Sequence, residues 1–293
     1  IEGNAKLLTF CGGDGIGDKD LFVGLLTGPL RWEFEKIVKW AGSNGFKGLE
    51  VPVAPRGGHI DVERVLKGEG GKVRNMLKEN GVAISSLAFY SGSILASKEE
   101  QNFFRRAVEA CSALDVDVMC TIAGIMPGKD KREALRGEFA QVFGQLADHA
   151  KANGTKIAME NWYATLLQGL DHFKLAIEGV PNKALGFNFD PSHLFWQQID
   201  YVEAVHRFRD RIFHTHAKDA EILGFRLREV GVLDEGWWRY RIPGRGSINW
   251  QAYVTALKEI GYDYVLSIEH EDPFFGPEPG FLDGKRFLES VIY

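Results

Sequence analysis

The sequence has little cysteine, no long apolar run and no surplus of positive charge. Cys11, Cys111 and Cys120 are its only thiols. They are too few and too unevenly spaced for a disulfide framework or a thiolate zinc site, so a reducing, cytoplasmic setting is expected. No apolar stretch reaches the roughly 20 residues needed to cross a bilayer, and no charged segment followed by an apolar one opens the chain. Neither a membrane span nor a leader is therefore expected. Lysine and arginine number 35 against 40 acidic residues, a formal charge of -5, and the basic residues are scattered. That argues against a nucleic-acid partner. No Pro/Ser-rich linker or low-complexity tract divides the chain, which reads as one domain over residues 1–293.

What the sequence does contain is eight short apolar, β-prone runs: Ala5 to Phe10, Phe46 to Pro52, Val82 to Tyr90, Val116 to Gly124, Lys156 to Asn161, Leu185 to Asp190, Ile212 to Asp219 and Val265 to Glu271. Most are too apolar to alternate, as befits strands buried on both faces of a parallel sheet. Helical periodicity fills the gaps. Phe139, Val142, Phe143, Leu146 and Ala150 share one helix face, and further helices are expected over Trp32 to Ser43, Asp61 to Glu79, Ser97 to Leu114, Gln168 to Gly179, Ile199 to Phe208, Asn249 to Ile260 and Gly284 to Val291. Asn44-Gly45, Asn80-Gly81 and Asn153-Gly154 stand between helix and strand, where a left-handed residue ends a helix. Strand then helix, eight times, predicts an α/β fold, a single (β/α)8 TIM barrel.

The longest irregular stretch runs from Ala220 to Ser247, a long loop after strand seven. It holds Trp237, Trp238, Arg239, Tyr240, Arg241 and Arg245, a composition suited to a lid over a polar ligand or, equally, to an element packed on the barrel rim. Trp237, Trp238 and Arg245 are candidate substrate contacts, the indoles as stacking faces for a sugar ring.

Active sites of such barrels lie at the C-terminal ends of the strands. Strand five ends on Glu160, strand six on Asp190 and His193, strand seven on His216 and strand eight on Glu269. Any one carboxylate there could simply cap the next helix. Four such groups at one barrel mouth would accumulate negative charge, which a bound cation would relieve. Three carboxylates and one imidazole suit Mn²⁺, Mg²⁺ or Co²⁺, with zinc also admissible. Beyond strand two, Glu50 and His59 are further candidates for lining the pocket. His214 is expected deeper in the barrel, and His149, His172, His206 and His270 in structural roles.

Met159-Glu160-Asn161, the run Asn188 to His193, the run His214 to Asp219 and Ser267-Ile268-Glu269 together resemble the sugar phosphate isomerase/epimerase family, the xylose-isomerase-like TIM barrels. The resemblance spans essentially the whole chain. It implies Glu160, Asp190, His216 and Glu269 as ligands of one divalent metal, Glu160 and Glu269 as catalytic proton carriers, and His193 and Lys218 as substrate contacts. It also implies a small-molecule carbohydrate substrate, isomerised or epimerised by proton transfer through a metal-stabilised enediolate. A metal-dependent lyase, dehydratase or 3-keto-glycoside-cleaving enzyme shares the first half of that chemistry and is the alternative. An AP-endonuclease-like nuclease would need a three-metal cluster and a basic surface, and a non-catalytic scaffold would have dispensed with a ligand. Homo-oligomerisation is compatible with the sequence. The glycine-rich run Cys11 to Gly17 meets neither phosphate-loop spacing and is expected to be a turn.

Overall fold

The structure, a computed structural model, describes residues 20–292. Eight parallel strands close a barrel: β1 (Phe22–Leu26), β2 (Gly48–Pro52), β3 (Ala83–Phe89), β4 (Val118–Ile122), β5 (Lys156–Glu160), β6 (Leu185–Phe189), β7 (Ile212–Ala217) and the last, β10 (Val265–Ile268), which pairs with both β7 and β1. Almost every strand residue is buried, because side chains on one face fill the barrel and those on the other meet the surrounding helices.

The expected first strand, Ala5 to Phe10, and the glycine-rich run that follows lie outside the described residues. The barrel position between β10 and β2 is taken by Phe22–Leu26, a segment whose central Gly24 disguises it as a loop. That glycine is required sterically. A Cβ there would lie 2.7 Å from the Gly48 carbonyl oxygen and 2.6 Å from Val265 Cγ2, so the strands could not pair at this register.

The three Asn-Gly pairs behave as their chemistry demands. Asn44, Asn80 and Asn153 are the C-terminal caps, and each side-chain amide donates to the carbonyl four residues back, on Trp40, Met76 and His149 at 2.8, 2.8 and 2.9 Å. The glycines that follow adopt φ of 73, 64 and 71°, the left-handed region open to glycine at no steric cost.

The stretch after β7 is more regular than a loop. It forms an antiparallel hairpin of β8 (Asp219–Ile222) and β9 (Trp238–Arg241), with a short helix, Gly224–Val230, between them. Asp219 ties this hairpin to the barrel. Its Oδ1 accepts from the amides of Ala220 and Ile248 at 2.8 and 3.0 Å, and its Oδ2 from the Gly244 amide and the Trp250 indole at 2.9 Å each. Between β6 and β7, Pro191–Phe195 is an additional short helix, and the expected Ile199 to Phe208 helix is confined to Tyr201–Arg207. The last helix is longer than expected, Pro277–Ile292, since proline is well tolerated in a first turn whose amides lack partners. No helix among the described residues is long and apolar enough to cross a membrane.

Candidate metal centre

Glu160, the last residue of β5, pairs in register with Asn188 of β6. Two residues on, Asp190 leaves β6 on the same face and divides its carboxylate between two tasks. Oδ1 accepts from the Ser192 amide at 2.8 Å and caps Pro191–Phe195, while Oδ2 is buried with no hydrogen bond. Asn161 fixes this turn, donating to the Asp190 carbonyl and accepting from its amide, both at 2.8 Å. His216 projects inward from β7 beside Ser267 of β10. Glu269 follows β10, its amide bonded to the Ala217 carbonyl.

One ligand-type atom from each of Glu160, Asp190, His216 and Glu269 lies within 4.8 Å of every other. Donors about 2.0–2.2 Å from a common ion are separated by at most about 4.4 Å, so a small contraction would close the four around one cation. The orphaned atoms fit that occupant. His216 Nδ1, like Asp190 Oδ2, is buried without a hydrogen bond, and it faces Glu269 Oε2 at 3.0 Å, Glu160 Oε1 at 3.5 Å and Asp190 Oδ2 at 3.8 Å. Buried polar atoms without hydrogen bonds are costly even beside opposite charges, and these point to the same place.

Lys218 is drawn into the cluster, although the sequence suggested a substrate contact. It is 1% exposed, with Nζ 2.6 Å from Glu269 Oε2, 3.2 Å from Asp190 Oδ2, 3.3 Å from Glu271 Oε2 and 3.8 Å from Glu160 Oε1. Burial would lower its pKa, but Asp190, Glu269, Glu271 and Glu160 outweigh burial and raise it well above the usual lysine range. The same balance acts in reverse on the acids. Burial would raise Glu160 and Asp190, yet His193, His216 and Lys218 hold Glu160 well below the ordinary carboxylate value, and Lys218, His193 and His216 lower Asp190. For His216, the downward pull of burial is overcome by Glu269, Glu50 and Glu160. For Glu271 the attraction of Lys218 loses to burial and to Glu269 and Glu160, and its pKa is raised.

His193 stands at the edge of the cluster, Nε2 3.1 Å from Glu160 Oε1 and 3.3 Å from Lys218 Nζ. Its Nδ1 is 2.9 Å from the hydroxyl of Tyr240, carried by β9, and the Tyr240 ring lies 4.6 Å from Lys218 Nζ. The hairpin thus folds onto the barrel mouth. Tyr240 is a site residue the sequence reading passed over among its aromatic neighbours. Tyr90 is another, its hydroxyl 3.3 Å from His216 Nε2; a phenol just after the apolar strand β3 was the available signal.

The other expected contacts have different surroundings. Trp238 stacks on Trp196, ring centroids 4.0 Å apart, and meets the edge of Tyr163, whose ring is 6.1 Å from that of His193. Trp237 is 3% exposed and donates to the Asp234 carbonyl, so it packs the hairpin and offers no open face. The Arg245 guanidinium is engaged with both carboxylate oxygens of Asp283, on the final helix, at 2.7 and 3.1 Å. His59 bonds the Thr27 hydroxyl at 2.8 Å and stacks on Phe34. Glu50 is fully buried, with its carboxylate 3.1 Å from His216 Nε2. His214 is buried as expected, with Nδ1 2.9 Å from Asn188 Oδ1 and Nε2 3.2 Å from Ser85 Oγ.

A family model described as xylose isomerase-like TIM barrel matches residues 38–291. The chain is 28% identical over 159 residues to a protein of Bacillus subtilis (strain 168) called YfiH, a match spanning 50% of each chain. It is 26% identical over 221 residues to an inosose isomerase of Bacillus velezensis, 72% of each chain. Among solved structures it is similar to the IOLI protein with a bound zinc atom, at TM-score 0.73 and 18% identity, over 93% of this chain and 97% of that one.

Proposed function

Because the chain belongs to the xylose isomerase-like TIM barrel family, we propose that it is a divalent-metal-dependent isomerase or epimerase of a ketose or keto-sugar. The convergence of Glu160, Asp190, His216 and Glu269 within 4.8 Å carries this reading. A mostly oxygen donor set favours Mn²⁺, Mg²⁺ or Co²⁺, and the single imidazole also accommodates zinc; the zinc of the IOLI protein supports a divalent ion in this fold. Bound there, the ion would polarise a substrate carbonyl and acidify the adjacent C–H.

The residues of the chain supply the rest. Glu269, the most accessible of the four with 13% of its side chain exposed, accepts the substrate proton, and the Lys218 ammonium bonded to Oε2 orients it. Glu160, aligned by His193 Nε2, is the second proton carrier. His193 holds a substrate oxygen between Glu160 and Lys218. Tyr163, Trp196, Trp238 and Tyr240 provide an aromatic wall suited to the C–H face of a sugar.

Incubating the metal-loaded enzyme with a panel of ketoses and keto-sugars in deuterated water, followed by NMR, tests the assignment. Deuterium entering at the carbon beside the carbonyl, with a rearranged or inverted product, is the expected result. Release of a leaving group would reassign the enzyme as a lyase, and absence of exchange across the panel would count against carbon-acid chemistry altogether.

A further inference from the structure

β2 carries one charged residue into the barrel, and the strand is distorted where it does so. The β2–β3 register shifts between Leu49 and Glu50, an irregularity of the kind that re-aims a side chain. The Glu50 carboxylate is fully buried, and both of its oxygens are engaged. The Tyr90 hydroxyl donates to Oε1, the Ser267 hydroxyl donates to Oε2 at 2.8 Å, and His216 Nε2 lies 3.2 and 3.1 Å from the two oxygens. An ionised carboxylate only accepts, so the histidine nitrogen facing it must bear a proton.

We propose that Glu50 is a positioning residue: it fixes the His216 ring and keeps a proton on Nε2, leaving Nδ1 directed at Glu160, Asp190 and Glu269. The inference rests on reading His216 as an ion ligand. Asn188 is the competing influence, since its amide lies 2.9 Å from the same Nε2. An amide N–H donated to Nε2 would force the proton onto Nδ1 and close the ligand position. Two carboxylate oxygens outweigh one amide, and the Asn188 amide has another acceptor in the Tyr90 hydroxyl at 3.1 Å, with its Oδ1 facing His214 Nδ1 at 2.9 Å. A ligand histidine whose far nitrogen donates to a carboxylate is held in one tautomer and is a stronger base toward the metal.

The test uses the full chain labelled with ¹⁵N-histidine, and zinc alone as the probe. In the wild type, His216, assigned through couplings within its ring, shows a low-field, slowly exchanging Nε2–H with or without zinc. In Glu50→Gln this proton moves upfield and exchanges at least about tenfold faster, and the zinc Kd rises about 10- to 100-fold, with the circular dichroism of the zinc-free protein unchanged. Should that variant fail to fold, Ser267→Ala, which removes one donor to Glu50, is expected to weaken zinc about three-fold and shift the same proton. An unchanged Nε2–H and an unchanged Kd would overturn the role of Glu50. If the wild type binds no zinc, the ligand reading fails instead, and the Nε2–H of the zinc-free protein still decides whether Glu50 holds the ring.

Discussion

The Tyr240 hydroxyl lies 2.9 Å from His193 Nδ1, so the hairpin beyond β7 is hydrogen-bonded to the metal-type cluster through His193. Tyr240→Phe removes that bond while keeping the ring over Lys218. A neutral hydrogen bond contributes roughly 0.5–1.5 kcal/mol, and kcat/KM should fall about three- to ten-fold with Tm almost unchanged. Steady-state kinetics and a thermal melt of the same preparation decide it; identical kinetics would detach the hairpin from the chemistry.

Wild-type protein loaded with a divalent ion should retain about one equivalent by elemental analysis after desalting, and Asp190→Asn or His216→Ala should retain far less. Both residues contribute buried atoms that have no hydrogen bond. Glu160→Gln and Glu269→Gln should lower turnover by at least about 10²-fold, the order expected for a lost general acid or base, with circular dichroism unchanged. Full activity in both variants would sink the two-carboxylate mechanism, and an ordered ion held by other residues would sink the ligand set.

The two tryptophans of the hairpin should separate. Trp237 is buried at 3% exposure, so Trp237→Ala is expected to cost about 3–5 kcal/mol of stability. Trp238 is partly exposed against Trp196, so Trp238→Ala should raise KM more than it lowers Tm. Equal effects of the two substitutions on both quantities would contradict this division.

Asp219→Ala should release the hairpin, because four N–H donors lose their acceptor at roughly 1–3 kcal/mol for each that stays buried and unpaired. Limited proteolysis is expected to cut within residues 223–236 several times faster than in wild type, and Tm should fall by several degrees. Protection equal to wild type would place the anchor elsewhere.

Acid sensitivity should begin with His214, whose imidazole burial pushes down to about 4. Below pH 6.5 the unfolded chain takes up a proton that the folded chain refuses until about pH 4, so stability falls across that window. The shift from 6.5 to about 4 corresponds to about 3 kcal/mol. His59 and His172, also lowered by burial, act in the same direction. His216, raised by its carboxylates, contributes fully below pH 6.5 in the metal-free protein and adds no slope there. For Glu50, burial would raise the pKa, but His216 and His214 hold it at about 2, so its contribution is present above pH 4.5 and is lost only on further acidification. Denaturant midpoints of metal-free protein between pH 7 and 4.5 should fall more steeply for wild type than for His214→Gln; parallel curves would refute the assignment.

The sequence by itself determined the parts that depend on local physics. Apolar runs buried on both faces specified parallel strands, Asn-Gly pairs placed three helix ends, and the two-residue period of a strand put Asn188 with Asp190, and His214 with His216, on common faces. Because barrel strands all run one way, polar residues at their C-terminal ends had to share one mouth, and Glu160, Asp190, His216 and Glu269 were legible for that reason. What the tertiary structure decided were encounters set by barrel closure and register. Glu50 and His216, 166 residues apart, meet because closure of the barrel brings β2 and β7, separated by β1 and β10, around one interior, and the β2–β3 register shifts at Glu50. The family resemblance implied Lys218 as a substrate contact, but only packing shows its ammonium among four carboxylates. The hairpin was similarly opaque: composition said aromatic and basic, whereas the pairing of β8 with β9 chose Tyr240 to face His193 and buried Trp237, and ion pairing turned Arg245 to Asp283. Side-chain direction within such an excursion follows from strand register and anchoring, which no local pattern encodes.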